Sequence, residues 1–92
     1  MNILRRSLKF KFSGGRSGMI YVTEGDVLGQ MEWELLTRDV DLVIDAGRCF
    51  WTAPTMTTMT RADVLRLAHE FANETHLRVE VAFSDGSEIV AS

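Results

Sequence analysis

Cys49 and the two histidines, His69 and His76, are the side chains of this sequence that could form a nucleophilic catalytic pair. An imidazole close to a thiol can lower the pKa of that thiol and accept its proton, which activates the sulfur as a nucleophile. Cys49, however, is followed by Phe50 and Trp51, and no oxyanion-hole glycine motif accompanies it. We therefore interpret Cys49 as a small buried hydrophobe, and we predict that the protein is not an enzyme.

The same residue types do not form a cofactor-binding motif. A metal site needs three or four ligands at close spacing, whereas this chain has one cysteine and two histidines that are seven positions apart. The glycines at positions 14, 15 and 18 lack the lysine-serine or lysine-threonine pair and the following helix of a phosphate-binding loop. The sequence therefore predicts no metal and no other cofactor.

A second set of candidate residues is acidic. Glu32 and Glu34 flank Trp33, and three aspartates follow closely. Paired carboxylates can hydrolyse a substrate when one of them has a raised pKa, but at the spacing of a strand they more often form a solvated face. Trp51 either packs over a core edge or contacts a partner, and both interpretations stay open. The predicted partner-binding residues are Glu32, Glu34, Asp39, Asp41, Asp45 and Trp51.

The distribution of charge favours a cationic partner. The net charge is −3, and five of the ten basic residues lie within the first sixteen positions, among them Arg5 and Arg6. From Ser17 onward five basic residues are set against thirteen acidic ones, a net charge of −8. Such a surface repels a phosphate backbone and attracts a basic protein. Phe10 and Phe12 alternate with lysines and so point away from them, which argues against nucleic-acid binding.

Length and composition are typical of one globular domain. The chain has 92 residues, of which 46% are hydrophobic and 25% charged, and we expect residues 1–92 to form a single domain. No apolar run approaches the roughly 18–20 residues that span a bilayer, and the first residues lack the apolar stretch of a signal peptide. A single cysteine cannot form an internal disulfide. We expect a cytoplasmic protein with no membrane partner.

Hydropathy patterns predict four strands in the first half of the chain. Apolar residues alternate over Ser7–Phe12, and the glycine-rich segment 13–18 predicts a reversal into a second strand over Met19–Thr23. Alternation over Met31–Leu35 predicts a third strand, and Asp41–Asp45 a fourth. Consecutive short strands of this kind favour an antiparallel meander.

A connector and a helix are predicted next. Pro54 biases its preceding residue away from helix, so residues 48–59 are interpreted as a linker with apolar anchors. Thr60 followed by Asp63 has the spacing of a capping box and predicts a helix from Arg61 to about Thr75. The apolar residues at three- and four-residue spacing on this helix are Val64, Leu67, Ala68 and Phe71.

Alternation restarts over Leu77–Phe83 and predicts a further strand, after which Glu88–Ala91 is either a short edge strand or a frayed end. The predicted fold class is α+β: a four-stranded antiparallel meander, one helix packed on the sheet, and one or two C-terminal strands (β-β-β-β-α-β). We expect the helix to cover the sheet face that carries Leu8, Phe10, Trp33, Ile44, Val79 and Val81.

Over most of its length the chain resembles a family of bacterial immunity proteins. The segments that carry the resemblance are Trp51-Thr52-Ala53-Pro54, Met59-Thr60-Arg61-Ala62-Asp63 and Leu77-Arg78-Val79-Glu80-Val81. Proteins of this family are encoded beside polymorphic or contact-dependent toxins and combine a Trp-x-x-Pro connector with a capped helix and a final strand. Only Trp51 and Pro54 of this chain are matched to the family pattern, and they are matched as structural residues. The resemblance implies a toxin inhibitor, acting by protein-protein interaction, that occludes the active site or substrate path of a cognate toxin domain.

A hypothesis from another functional class stays open beside this one. A small structural or regulatory subunit of this size could associate with itself through an edge strand. A homodimer is compatible with either hypothesis. Genomic context separates them, because an adjacent gene for a secreted toxin favours the immunity protein and a metabolic operon favours the subunit.

Overall fold

A computed structural model describes residues 7–35 and 39–90 of the chain. Expectations that involve Arg5, Arg6, Thr37, Arg38 or Ala91 lie outside the described residues. The elements in chain order are β1 (Leu8–Gly14), β2 (Ser17–Glu24), β3 (Val27–Glu34), β4 (Leu42–Ala53), β5 (Thr57–Thr58), α1 (Arg61–Thr75), β6 (Val79–Phe83) and β7 (Gly86–Val90).

The strands form one mixed sheet in the order β1-β2-β3-β4-β6-β7, and β5 pairs with β4 outside this path. Strands β1 to β4 are antiparallel neighbours, whereas β4 and β6 run parallel. The parallel pair follows from α1, because a helix that crosses the sheet returns the chain in the direction of β4. The predicted α+β class, with its antiparallel meander, single helix and C-terminal strands, is confirmed.

The first hairpin forms where the glycines predict it. Phe10 lies opposite Val22 and Phe12 opposite Ile20, so apolar residues of both strands share one face. Gly14 has a φ of 113°, a conformation that a residue with a side chain rarely adopts. A Cβ at Gly14 would also collide with the carbonyl oxygen of Ser17. The tight reversal therefore requires glycine at this position.

Helix α1 has the predicted boundaries and the predicted buried face. The hydroxyl of Thr60 accepts a hydrogen bond from the backbone N–H of Asp63 at 3.1 Å, and the Asp63 carboxylate accepts one from the N–H of Thr60 at 3.3 Å. This reciprocal pair confirms the capping box. The helix ends at Thr75 and is followed by the C-cap residue His76, which has a φ of 60°. Its buried residues are Val64, Leu67, Ala68, Phe71 and Ala72.

The core lies between α1 and one face of the sheet. Ile44, Val79 and Val81 are fully buried there together with Trp33. Leu8 and Phe10 are partly buried and pack against the same cluster. The ring of Phe71 lies edge-on to the ring of Phe10, with 5.4 Å between the centroids. The expectation that α1 covers this sheet face is confirmed.

Strand β4 is longer than the sequence analysis expected. It was predicted to end at Asp45, but it continues to Ala53 and includes the first part of the predicted connector. Trp33 pairs with Ile44 and Met31 with Cys49, so four residues of β4 bulge opposite one residue of β3. Because the bulge contains a glycine and charged residues, it interrupts the apolar alternation that would predict the continuation of the strand. Strand β3 also begins earlier than expected, at Val27.

None of the helical segments in residues 7–35 and 39–90 has the length and apolar character needed to cross a bilayer.

Candidate functional site

Three of the predicted partner-binding acids lie together. Glu32, Glu34 and Asp45 line one open pocket of about 320 Å³, and we call these three residues the acidic patch. Glu32 and Glu34 alternate with the buried Trp33 along β3, so they lie on the sheet face that points away from the helix. The bulge in β4 brings Asp45 to the same pocket.

Arg48, which also lies in the bulge, contacts two members of the acidic patch. Its Nη1 is 3.5 Å from Oε2 of Glu32, and its Nε is 3.6 Å from Oδ2 of Asp45. The Arg48 side chain is 66% exposed, and ion pairs at such positions contribute about 0–1 kcal/mol to stability. One guanidinium against three carboxylates leaves the patch with a net negative charge. Arg48 therefore bridges Glu32 and Asp45 without neutralising the acidic patch.

The two remaining acids of the predicted set lie before β4. Oδ2 of Asp41 accepts a hydrogen bond from the backbone N–H of Arg78 at 2.7 Å, and the N–H of Asp41 donates to the Arg78 carbonyl at 2.8 Å. These two bonds join the start of β4 to the start of β6, which gives Asp41 a structural contact. Asp39 is exposed in the bend before β4. Partner binding by Asp39 and Asp41 stays a prediction.

Trp51 lies on the other face of the sheet. It pairs with Gly29, which alternates with the buried residues Met31 and Trp33, so the indole is on the face that carries the helix. The predicted binding residues are thus divided between two surfaces. Around the indole lies an open pocket of about 360 Å³, which we call the tryptophan pocket. It is lined by Glu24, Val27, Trp51, Ala53, Pro54, Thr55, Thr57, Asp63 and Arg66.

Hydrogen bonds and ion pairs fix the charged wall of the tryptophan pocket. The indole Nε1 of Trp51 donates to Oδ2 of Asp63 at 3.2 Å. Arg66 donates two hydrogen bonds to the carboxylate of Glu24, at 2.7 and 3.1 Å. Burial raises the pKa of Asp63, but the hydrogen bonds from Trp51 and Thr60 and the charge of Arg66 outweigh burial and lower the pKa below its usual value. Asp63 is therefore a carboxylate at neutral pH.

The apolar wall depends on a glycine in the neighbouring strand. A Cβ added at Gly29 would lie 2.9 Å from Cε3 of Trp51 and 2.6 Å from Cε of Met59. Both distances are shorter than ordinary van der Waals contact, so only glycine leaves the indole where it is. Val27, Ala53 and Pro54 complete the apolar lining.

Sequence reasoning did not identify Glu24 and Arg66 as site residues. Forty-two positions separate them, and their hydrogen bonds depend on how the helix lies across the sheet. Asp63 was recognised only as a capping residue. Its spacing from Thr60 predicts the cap, but no signal in the sequence predicts that the same carboxylate accepts a hydrogen bond from Trp51.

Cys49 is fully buried. Its thiol donates a hydrogen bond to the carbonyl oxygen of Asp45 at 3.2 Å. Burial raises the pKa of the thiol from 9.0 to about 12, and the nearby charges of Asp45 and Glu32 also raise it. His69 and His76 are exposed. In the part of the chain that the structure describes, no three side chains from His, Cys, Asp and Glu are grouped so that they could hold a metal ion.

The fold and these two surfaces define an α+β domain with an acidic patch on the bare sheet face and a tryptophan pocket beside the helix. No protein-family model, curated protein or solved structure matches the chain.

Proposed function

We propose that the protein is a bacterial immunity protein that binds a cognate toxin domain and neutralises it by occluding its active site or substrate path. The observation that carries the proposal is the convergence of Glu32, Glu34 and Asp45 in one open pocket. An acidic surface of this kind suits a basic partner, such as a nuclease domain that must itself bind phosphate.

The position of the acidic patch supports this interpretation. It lies on the sheet face that α1 does not cover, where a second protein can approach along several strands. Tyr21 and Leu28 are large exposed side chains on that same face, as their alternation with buried residues of β2 and β3 indicates. Exposed aromatic and apolar residues are typical of the core of a protein-protein interface, and polar residues are typical of its rim. The face can supply both electrostatic attraction and apolar contact.

Residues from the motifs that carry the resemblance also lie close together in the fold. Trp51 and Pro54 line the same pocket as the capping residue Asp63, although these residues come from two different motifs. In the proposed function, this clustering provides a second contact surface. It is separate from the acidic patch, because the two lie on opposite faces of the sheet.

The proposal is tested by the product of the neighbouring gene. That product is expressed alone and together with this protein, and cell survival, toxin activity and complex formation are measured. We expect co-expression to restore growth, and the purified proteins to form a stable complex that inhibits the toxin. If no co-encoded protein binds the chain, or if a bound toxin keeps its full activity, the proposal is wrong.

Self-association through an edge strand is the alternative function. Strands β1 and β7 are the edges of the sheet, and β1 carries Lys9 and Lys11 along its length. Lysines on an edge strand oppose pairing with a second copy. Analytical ultracentrifugation tests this alternative, since a subunit of that kind must sediment as an oligomer without any toxin present, and a monomer would exclude it.

A further inference from the structure

The tryptophan pocket has walls of two different kinds. One wall is apolar and consists of the indole of Trp51 with Val27, Ala53 and Pro54. The other wall is charged and consists of Glu24, Asp63 and Arg66. The volume of about 360 Å³ is large enough for a long side chain and falls within the range of small-ligand pockets, about 300–1,000 Å³. A ligand that fits both walls must be apolar along its length and polar at its end.

The net charge of the pocket determines whether the polar end of a ligand should be cationic or anionic. The guanidinium of Arg66 lies among three carboxylates, Glu24, Asp63 and Glu70, and its hydrogen bonds to Glu24, together with the charges of all three, raise the pKa of Arg66. Asp26 lies exposed in the turn directly after the strand that contributes Glu24. One cation among these anions leaves a negative potential at the pocket. An anionic group would be repelled, and a cationic group would be attracted.

The Asp63 carboxylate has capacity for a further donor. Its Oδ2 accepts hydrogen bonds from Nε1 of Trp51 at 3.2 Å and from the N–H of Thr60 at 3.3 Å. Its Oδ1 is 3.8 Å from Nη2 of Arg66, which is an ionic contact beyond hydrogen-bond distance. Each carboxylate oxygen has two lone pairs, so among the described residues Oδ1 keeps acceptor sites for a donor that enters the pocket.

We propose that the tryptophan pocket binds an arginine or lysine side chain presented by a protein partner. The methylene stem lies along the indole of Trp51 and the ring of Pro54, and the cationic group lies against Oδ1 of Asp63. Long basic side chains bind in this way because the stem is apolar and the head is charged. Apolar contact of the stem with the indole and a charge-assisted hydrogen bond of the head to the carboxylate then act on the same side chain.

That the basic side chain belongs to the toxin rests on the proposed function. The preference of the pocket for a cation is independent of the proposed function, because it follows from the side chains of this chain alone. The two statements therefore need different experiments, and the pocket is tested without any toxin.

The test is an NMR titration of the full chain with arginine amide, followed at the indole N–H signals. The chain has two tryptophans, and loss of one signal in Trp51→Phe assigns both. Trp33 is an internal control, because its indole is buried and donates to the Ser13 carbonyl at 3.1 Å. Citrulline amide is the matched ligand control, since it keeps the shape and the α-ammonium group of arginine amide but has a neutral urea group in place of the charged guanidinium.

We expect arginine amide to shift the Trp51 signal in a saturable manner while the Trp33 signal stays in place. Citrulline amide should leave both signals unchanged at the same concentrations. Asp63→Asn should weaken the binding about tenfold, whereas Glu74→Gln, at an exposed position near the end of the helix, should leave it unchanged. The rest of the spectrum shows whether each variant is folded.

Three results would overturn the inference. The first is a Trp51 signal that does not respond to arginine amide. The second is an equal response to citrulline amide, which would mean that the charge of the guanidinium has no part in binding. The third is a titration of Asp63→Asn that matches the original chain, because the carboxylate would then have no part in binding. None of these results bears on whether the chain neutralises a toxin.

Discussion

The indole Nε1 of Trp51 and the carboxylate of Asp63 form a hydrogen bond of 3.2 Å between strand β4 and the first turn of helix α1. The same carboxylate oxygen accepts the backbone N–H of Thr60, so the residue that caps the helix also fixes the tryptophan. The side chain of Asp63 thus connects strand β4, the N-terminus of helix α1 and the lining of the tryptophan pocket. A substitution at either residue should therefore change the environment of the other.

A double-mutant cycle measures this coupling. Trp51→Phe keeps an aromatic ring but removes the N–H donor, and Asp63→Asn removes the charge of the acceptor. We expect each single change to lower the free energy of unfolding, and the coupling energy between them to be about 0.5–1.5 kcal/mol. Urea unfolding of the four proteins gives the value. A coupling energy of zero would mean that the charge of Asp63 does not strengthen the hydrogen bond from Trp51.

Gly29→Ala should displace the indole. The new Cβ would lie 2.9 Å from Cε3 of Trp51, and relief of such overpacking typically costs about 1–3 kcal/mol. Gly15→Ala is the matched control, because a Cβ at Gly15 has open space around it. Thermal unfolding compares the two variants, and the indole signal of Trp51 reports the displacement. Equal melting temperatures for both variants would be inconsistent with the packing of Trp51 on Gly29.

The helix was predictable from the sequence because its signals are local. Thr60 and Asp63 are three positions apart, and their spacing alone predicts the cap that the structure contains. The buried residues of the helix recur every three or four positions, which is a property of one face of a helix. Local spacing of this kind does not depend on what the rest of the chain does. It therefore predicted both the boundaries and the buried face of α1.

Phe71→Ala should be among the most destabilising single changes in the chain. Phe71 is 1% exposed, and its ring contacts Phe10 with 5.4 Å between centroids and Phe12 with 6.0 Å. Removing a buried phenylalanine ring costs about 3–5 kcal/mol, a large share of the stability of a small domain. His69→Ala, on the exposed side of the same helix, is the control and should change the stability little. A similar loss from both variants would contradict the assignment of the buried face.

Cys49 should resist alkylation in the folded protein. The thiol is buried, and its pKa is raised from 9.0 to about 12, so the reactive thiolate is scarce at neutral pH. Iodoacetamide labelling followed by mass spectrometry should be slow in buffer and fast in concentrated urea. As the pH rises towards 9.0, the unfolded chain should react faster and its rate should level off above that pH, while the folded chain stays slow. Rapid labelling of the folded protein at neutral pH would reopen the possibility of thiol chemistry.

The extent of β4 and the composition of the pockets were not predictable in the same way. The bulge at residues 45–48 interrupts the alternation, so the continuation of β4 to Ala53 is visible only from its pairing with β3 and β5. That bulge decides which acids come together, since it places Asp45 beside Glu32 and leaves Asp41 bonded to Arg78. The charged wall of the tryptophan pocket joins residues from distant positions. Such contacts depend on tertiary packing, which the spacing of residues along the sequence does not predict.

The acidic patch is tested most directly by the rate at which the chain associates with the co-encoded toxin. Glu34→Lys reverses a charge within the patch, and Glu74→Lys reverses an exposed charge on the helix at the other side of the sheet, so both change the net charge equally. At low ionic strength we expect Glu34→Lys to slow association about three- to tenfold and to weaken its salt dependence, with a much smaller effect of Glu74→Lys. Tight binding whose association rate is indifferent to salt and equal in the two variants would contradict binding through the acidic patch.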